Sequence, residues 1–139
     1  MWDPWGTIMA SIRDILNNLA RDYAIAWSSG DAEDVARFFA PDGQIIINRG
    51  EPHIGRDAIV EMVRGFHAEF SNLEVRCDMF RWAGSHAIFV KTMEGHHSET
   101  GNQVVVRGWE EWDLTPEHKV QSSVGWFDME DFHRQIAGS

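Results

Sequence analysis

Apolar residues return every three or four positions through Ile8, Ile12, Ile15, Leu16, Leu19, Tyr23, Ala26 and Trp27, the spacing of a helix with one buried face. Gly30 stops that helix, and Asp31 caps a short second one over Asp31 to Phe39, with Val35, Phe38 and Phe39 inward. Ala40-Pro41-Asp42-Gly43 reads as a turn, because Pro and Gly each fix the backbone. The β-branched run Ile45 to Ile47 predicts a strand, and Arg49 to Gly55 a crossing loop or short hairpin. Gly55-Arg56-Asp57 then opens a third helix, whose buried stripe is Ile59, Met62, Val63, Phe66 and Phe70.

Beyond Phe70 the pattern changes. Leu73 to Trp82, His86 to His97, Gln103 to Leu114 and Lys119 to Phe127 read as strands joined by short turns, which implies an antiparallel meander. A short helix over Met129 to Ile136 follows. Helices early and strands late make the fold class α+β, a curved sheet wrapped over helices. Residues 1–139 form a single domain, with 1–7 as an N-terminal extension ahead of the first periodic residue.

A chain of 139 residues is large enough to bury roughly 70% of its unfolded surface, so a core forms without disulfides or metals. The net charge of −10 and the scattered arginines argue against a nucleic-acid partner. Cys77 is the only cysteine, which excludes an internal disulfide and is compatible with a reducing compartment. Asp3, Pro4, Arg13 and Asp14 interrupt the first nineteen residues, so neither a signal-peptide centre nor a membrane span is expected there, and the expected location is cytoplasmic.

The element order, with Gly30-Asp31, Phe38-Phe39-Ala40-Pro41-Asp42-Gly43, Gly55-Arg56-Asp57-Ala58-Ile59 and the closing Trp126-Phe127-Asp128, resembles the nuclear transport factor two-like superfamily over nearly the whole chain. Gly95-His96-His97, Glu99-Thr100-Gly101 and the tail from Phe127-Asp128 to Gln135-Ile136 are most similar to its SnoaL-like polyketide cyclase group. The resemblance implies a cone, a bent and mostly antiparallel mixed sheet closed by three N-terminal helices and a short C-terminal one around an apolar pocket. It also implies a homodimer through the outer sheet face, and activities such as cyclisation, isomerisation, dehydration or epoxide hydrolysis. Other members only bind ligands or scaffold partners, so the fold leaves the chemistry open. Similarity to ketosteroid isomerase places Tyr23 and Glu110 over that enzyme's oxyanion-stabilising tyrosine and carboxylic acid, and Ile47 where its general-base aspartate stands.

Strand alternation puts Val104, Val106, Gly108, Glu110 and Trp112 on one face, so Glu110 is a carboxyl among apolar neighbours. Lost hydration predicts a raised pKa there and a protonated, hydrogen-donating Glu110 beside the Tyr23 phenol, two acidic donors for an oxyanion; the alternative is a Glu110 that meets a buried arginine or points to water. One strand earlier, Ile88, Val90, Thr92, Glu94 and His96 share a face, unless a bulge at Gly95 turns His97 inward. Either histidine is a candidate base, and either is also an ordinary strand-end histidine. Successive strand residues face opposite ways, so the pair is not expected to hold a metal.

Ile45, Ile47, Met62, Phe66, Phe70, Val90, Val104, Val106, Trp112 and Phe127 are expected to line or back the cavity, with Asn48, Thr92, Gln121 and Ser123 orienting polar groups of a flat apolar small-molecule ligand. Phe89, Met93, Trp109, Val124 and Trp126 are expected on the opposite face, covered by a second copy or by the terminal helix. The first functional reading is a cofactor-independent SnoaL-like enzyme transferring protons on a carbonyl compound, with Tyr23 and Glu110 at the oxyanion and His96 or His97 as base. The second is a non-catalytic ligand-binding or dimerising module. The third is an epoxide hydrolase using Asn48 and Glu110.

Overall fold

The computed structural model describes the backbone of residues 4–138 and the side chains of residues 11–138. Helix α1 (Pro4–Ser29) starts earlier than its apolar spacing suggested, so four residues of the expected extension are helical. It buries Leu16, Ala20, Tyr23, Ala24 and Trp27, and Gly30 ends it at φ 81°, a left-handed conformation that costs glycine little. Asp31 caps α2 (Ala32–Ala36) by accepting from the backbone N–H groups of Glu33 and Asp34.

Strand β1 (Phe39–Ile47) begins well before the expected run of isoleucines. The predicted turn at Ala40 to Gly43 is instead an irregularity within this strand, because Phe39 pairs with Val120 and Gln44 with Ser122, leaving the residues between them bulged out of register. Strand β2 (His53–Ile54) closes a short hairpin on β1. Helix α3 (Arg56–Glu69) follows, and the Arg56 guanidinium donates to the Phe39 carbonyl at 2.8 and 3.0 Å, tying helix to sheet.

The remaining elements are β3 (Phe70–Ala83), β4 (His86–His97), β5 (Gln103–Leu114), β6 (Val120–Phe127) and α4 (Met129–Ala137). Together they form one sheet in the order β2-β1-β6-β5-β4-β3, with β1 parallel to β6 and every other pair antiparallel. The sheet curls over the helices as a cone. Ser28 fixes α1 to β3, its hydroxyl accepting from Val75 N–H at 2.9 Å. Gln135 of α4 bonds both the N–H and the carbonyl of Val105, extending the edge of β5 past the end of β6.

The inner face of β5 is as expected, with Val104, Val106, Gly108, Glu110 and Trp112 all buried. The inner face of β4 is the opposite of the expected one. Phe89 lies against Glu110, Lys91 against Gly108 and Met93 against Val106, so the set from Ala87 to His97 by steps of two points to the core. Consequently Val90 and Thr92 belong to the outer face, where the Thr92 hydroxyl donates to Asp78 at 2.6 Å. Phe89 and Met93 are core residues and not part of an outer patch, whereas Trp109, Val124 and Trp126 do stand exposed on that face.

Candidate functional site

Tyr23, Phe89 and Trp112 build the wall from which the site projects. Phe89 stacks on Trp112 with ring centres 5.3 Å apart, and Tyr23 meets both edge-on. Each such pair adds about 0.5–1.5 kcal/mol beyond burial, so the Tyr23 ring is held from two sides. Its hydroxyl is thereby delivered to Glu110, 87 residues away in sequence, at 2.9 Å from Oε1 and 3.3 Å from Oε2.

Glu110 is 1% exposed, yet it is fully partnered. Oε1 accepts from Tyr23, from the Trp112 indole N–H at 3.0 Å and from the Ser123 hydroxyl at 2.8 Å. Oε2 accepts from the Lys91 ammonium at 2.9 Å. Burial is the largest single influence and by itself raises the pKa of this acid. The Lys91 charge and the hydrogen bonds from Trp112, Lys91 and Ser123 outweigh it, leaving Glu110 below its ordinary value of 4.5.

The expected protonated donor is therefore corrected to an ionised acceptor. The physical reason is Lys91, which stands on the inner face opposite Gly108, the face that the expected alternation of β4 gives to Val90 and Thr92. Tyr23 is displaced the other way: burial and then the Glu110 charge raise its pKa well above 10.0, against a smaller lowering by the Trp27 N–H, so the phenol keeps its proton. The phenol and the carboxyl do meet, but as donor and acceptor to one another.

Above this cluster lies an apolar cavity of about 30 Å³, room for about two water molecules. Ile45, Ile47, Phe66, Val106 and Phe127 line it as expected, together with Trp27, Val75, Met93 and Lys91. Lys91 and Glu110 are the titratable side chains among these lining residues. Gly108 also lines the cavity, and any Cβ at that position would lie 2.2 Å from the Trp126 carbonyl oxygen, so β5 and β6 approach there as only glycine permits. Ser123 and Trp112 lie behind Glu110 as its partners; Met62, Phe70, Val90 and Val104 back other parts of the structure. Asn48, at φ 52°, spends its carbonyl oxygen on the Phe127 N–H at 2.8 Å, while its Nδ2 is buried without a partner among the described residues. Gln121 reaches outward to Asp42.

Neither histidine comes to this cavity. His96 is exposed, and His97 is the inward one, reached by plain alternation and without a bulge between β4 and β5 at Gly95. His97 lies six residues along β4 from Lys91, on the order of 20 Å at strand spacing. There it rests against Phe70, 3.3 Å from Glu69, and accepts from the Thr100 N–H. Sequence reasoning missed Lys91 and Trp27. The signal for Lys91 is its position two residues from both Phe89 and Met93, which are larger and more apolar than Val90 and Thr92 on the other face.

The SnoaL-like domain family matches residues 20–122, and the chain belongs to that family. No curated protein matches it in sequence. Among solved structures it is similar to a hypothetical protein with a ketosteroid isomerase-like fold from Catenulispora acidiphila, in complex with trimethylamine, at TM-score 0.80 and 18% identity over 86% of this chain and 92% of that one. It is similar to TsrD from Streptomyces laurentii at TM-score 0.77 and 16% identity over 100% of both chains. SalBIII, an epoxide hydrolase/cyclase-like enzyme in pyran ring formation in polyether salinomycin, aligns at TM-score 0.76 and 16% identity over 86% of this chain and 95% of that one. At these identities the likeness is one of fold. No helix among the described residues is long and apolar enough to cross a membrane.

Proposed function

We propose that this protein is a cofactor-independent enzyme of the SnoaL-like kind that transfers a proton on an apolar carbonyl compound, in a cyclisation, isomerisation or dehydration. The observation that carries this reading is the buried Tyr23–Glu110–Lys91 cluster opening through Lys91 onto an apolar cavity. Lys91, and not Tyr23 with a protonated Glu110, takes the electrophilic role. Its ammonium has three N–H groups, one of which Glu110 occupies. When a ligand carbonyl draws the ammonium away, Glu110 Oε2 loses the charge that holds its pKa down and becomes the base. The proton on the carbon beside the carbonyl passes to Glu110, the C–H electron pair becomes the enolate, and Lys91 balances the oxyanion. Ring closure or reprotonation then returns the proton from Glu110. Tyr23 is a positioning residue, and His96 and His97 have no part in the step.

A ligand larger than the cavity enters by parting Ile47 and Phe66, which are half-buried at its rim. The same proposal includes a homodimer across the exposed Trp109, Val124 and Trp126, and a cytoplasmic location in keeping with the single cysteine. The second reading, a non-catalytic ligand-binding module, is favoured by the small cavity and by a carboxylate whose oxygens are already occupied. Deuterium exchange separates the two. Incubated in deuterated water with benzoylacetone, a flat aryl diketone, the protein should exchange the carbon-bound proton between the carbonyls faster than its Glu110→Gln variant does. Equal rates with tight binding would leave only the binding module.

A further inference from the structure

The chain carries ten arginines and two lysines. Lys119 is exposed, whereas Lys91 lines the cavity with its side chain 18% exposed. A cation needed only to balance Glu110 is better supplied by a guanidinium, whose fork bonds both carboxylate oxygens and never loses its charge. Lysine differs in that it can give up a proton and attack a carbonyl carbon through nitrogen. Three features of the site suit that attack. The proton has a receiver, Glu110 Oε2 at 2.9 Å, and burial by itself favours the neutral form of that acid. The flank of the lysine is open, because its cross-strand partner is Gly108, which puts no side chain beside it. The Lys91 nitrogen lies over the face of the Trp27 ring, 5.8 Å from its centre, an attraction that an iminium cation keeps as an ammonium does.

We propose that Lys91 is a nucleophile that condenses with an aldehyde or ketone bound in the cavity to form an iminium. The proposal rests on the reading of the cavity as a carbonyl site and deepens it, naming the substrate class and a covalent intermediate. Lys91 first passes one proton to Glu110 Oε2. Its lone pair then forms the C–N bond as the carbonyl π pair moves to oxygen. A second N–H proton and the proton on Glu110 go to that oxygen, which leaves as water with the C–O pair while the nitrogen lone pair completes C=N. An ammonium and a carboxylate thus become an iminium and a carboxylate, with no change of charge in the buried site. Glu110, ionised again, takes the proton from the neighbouring carbon, and the C–H pair forms an enamine with nitrogen as the electron sink. Reprotonation and addition of water by the same steps in reverse free Lys91. Esters and amides, which do not condense with amines to iminiums, fall outside this class.

The test traps the iminium on the wild-type protein with benzylacetone, an aryl monoketone, and sodium cyanoborohydride, which adds hydride to the iminium carbon and fixes a secondary amine. Mass spectrometry of the digest should place the adduct on Lys91 in at least about tenfold excess over Lys119, because the cavity holds the ketone against one amine only. In oxygen-18 water, without the reductant, the protein should also exchange the ketone oxygen for solvent oxygen, whereas a lysine that only hydrogen-bonds leaves that oxygen in place. Lys91→Arg keeps the charge and should lose both the adduct and the oxygen exchange. If benzoylacetone exchanges its carbon-bound proton but Lys91 gives no adduct and the ketone oxygen stays, the inference fails and the proposed function stands. Equal labelling of Lys91 and Lys119 is ordinary amine reactivity and also overturns the inference. If adduct, oxygen exchange and proton exchange are all missing, both are overturned. Trapping and oxygen exchange are read on wild-type protein, so they decide the matter even if the variant does not fold.

Discussion

Replacing Lys91 with methionine keeps the length of the side chain and removes its charge, leaving Glu110 in a site built around an ion pair. The pair is 2.9 Å long, with the carboxylate 1% and the lysine side chain 18% exposed, so solvent does little to screen the loss. Removing one member of such a pair costs about 3–5 kcal/mol. Tyr23, Trp112 and Ser123 continue to donate to Glu110, which puts the expected loss at the lower end, about 3 kcal/mol at neutral pH.

The dependence on pH is the sharper signature. In the wild-type protein Glu110 lies below its unfolded value, so its contribution is complete above that value and is lost as pH falls below about 4.5 through the folded pKa. In Lys91→Met the burial effect is no longer outweighed by an opposing charge, and the folded pKa rises above the unfolded one. The folded state then binds more protons than the unfolded state, and stability falls as pH rises. Urea denaturation between about pH 5 and 8 should show the variant gaining stability toward the acid end, while the wild type shows no slope from this group. Parallel curves, or a loss under about 1 kcal/mol, would refute the argument, since that is what a surface pair gives. Adding Glu110→Gln to Lys91→Met should abolish the new slope.

Tyr23→Phe removes a hydrogen bond to a charged acceptor and should cost about 1.5–3 kcal/mol in denaturation; it should also slow deuterium exchange into benzoylacetone while leaving its binding largely intact. Gly108→Ala places a methyl group 2.2 Å from the Trp126 carbonyl, so β5 and β6 must separate, at a cost of about 3 kcal/mol by thermal or chemical unfolding. Sedimentation at micromolar concentration should give a dimer, and Trp126→Glu, on the exposed outer face, should give a folded monomer; a monomeric wild type would refute the dimer.

Much of the fold is legible because its signals are local. Both bounds of β4 and the start of β5 follow from glycine-containing turns, the end of β5 from the Thr115-Pro116 turn, and the inner face of β5 from alternation alone. The meeting of Tyr23 with Glu110 was accessible only through family resemblance, since no local rule joins residues 87 positions apart. The phase of β4 is not legible in the sequence, because a lysine between two β-branched neighbours looks solvent-facing. Its inward direction is fixed by the pairing of Lys91 with Gly108 and by the Glu110 charge two residues further along β5, a tertiary match that periodicity does not carry. The direction of the Glu110 pKa is hidden for the same reason, because burial is visible in the pattern and the compensating ammonium is not. The bulge at Ala40 to Gly43 resembles a free turn because the pairing of Phe39 with Val120 that continues the strand lies 81 residues away.

Glu110 rests as a carboxylate held by Lys91 beneath an apolar cavity. Carbon-detected NMR of protein labelled at the glutamate side-chain carboxyl, with the Glu110 signal assigned by Glu110→Gln, tests it most directly. This carbon should keep its ionised shift from neutral pH down past 4.5. Proton uptake at or above the ordinary glutamate value would contradict it.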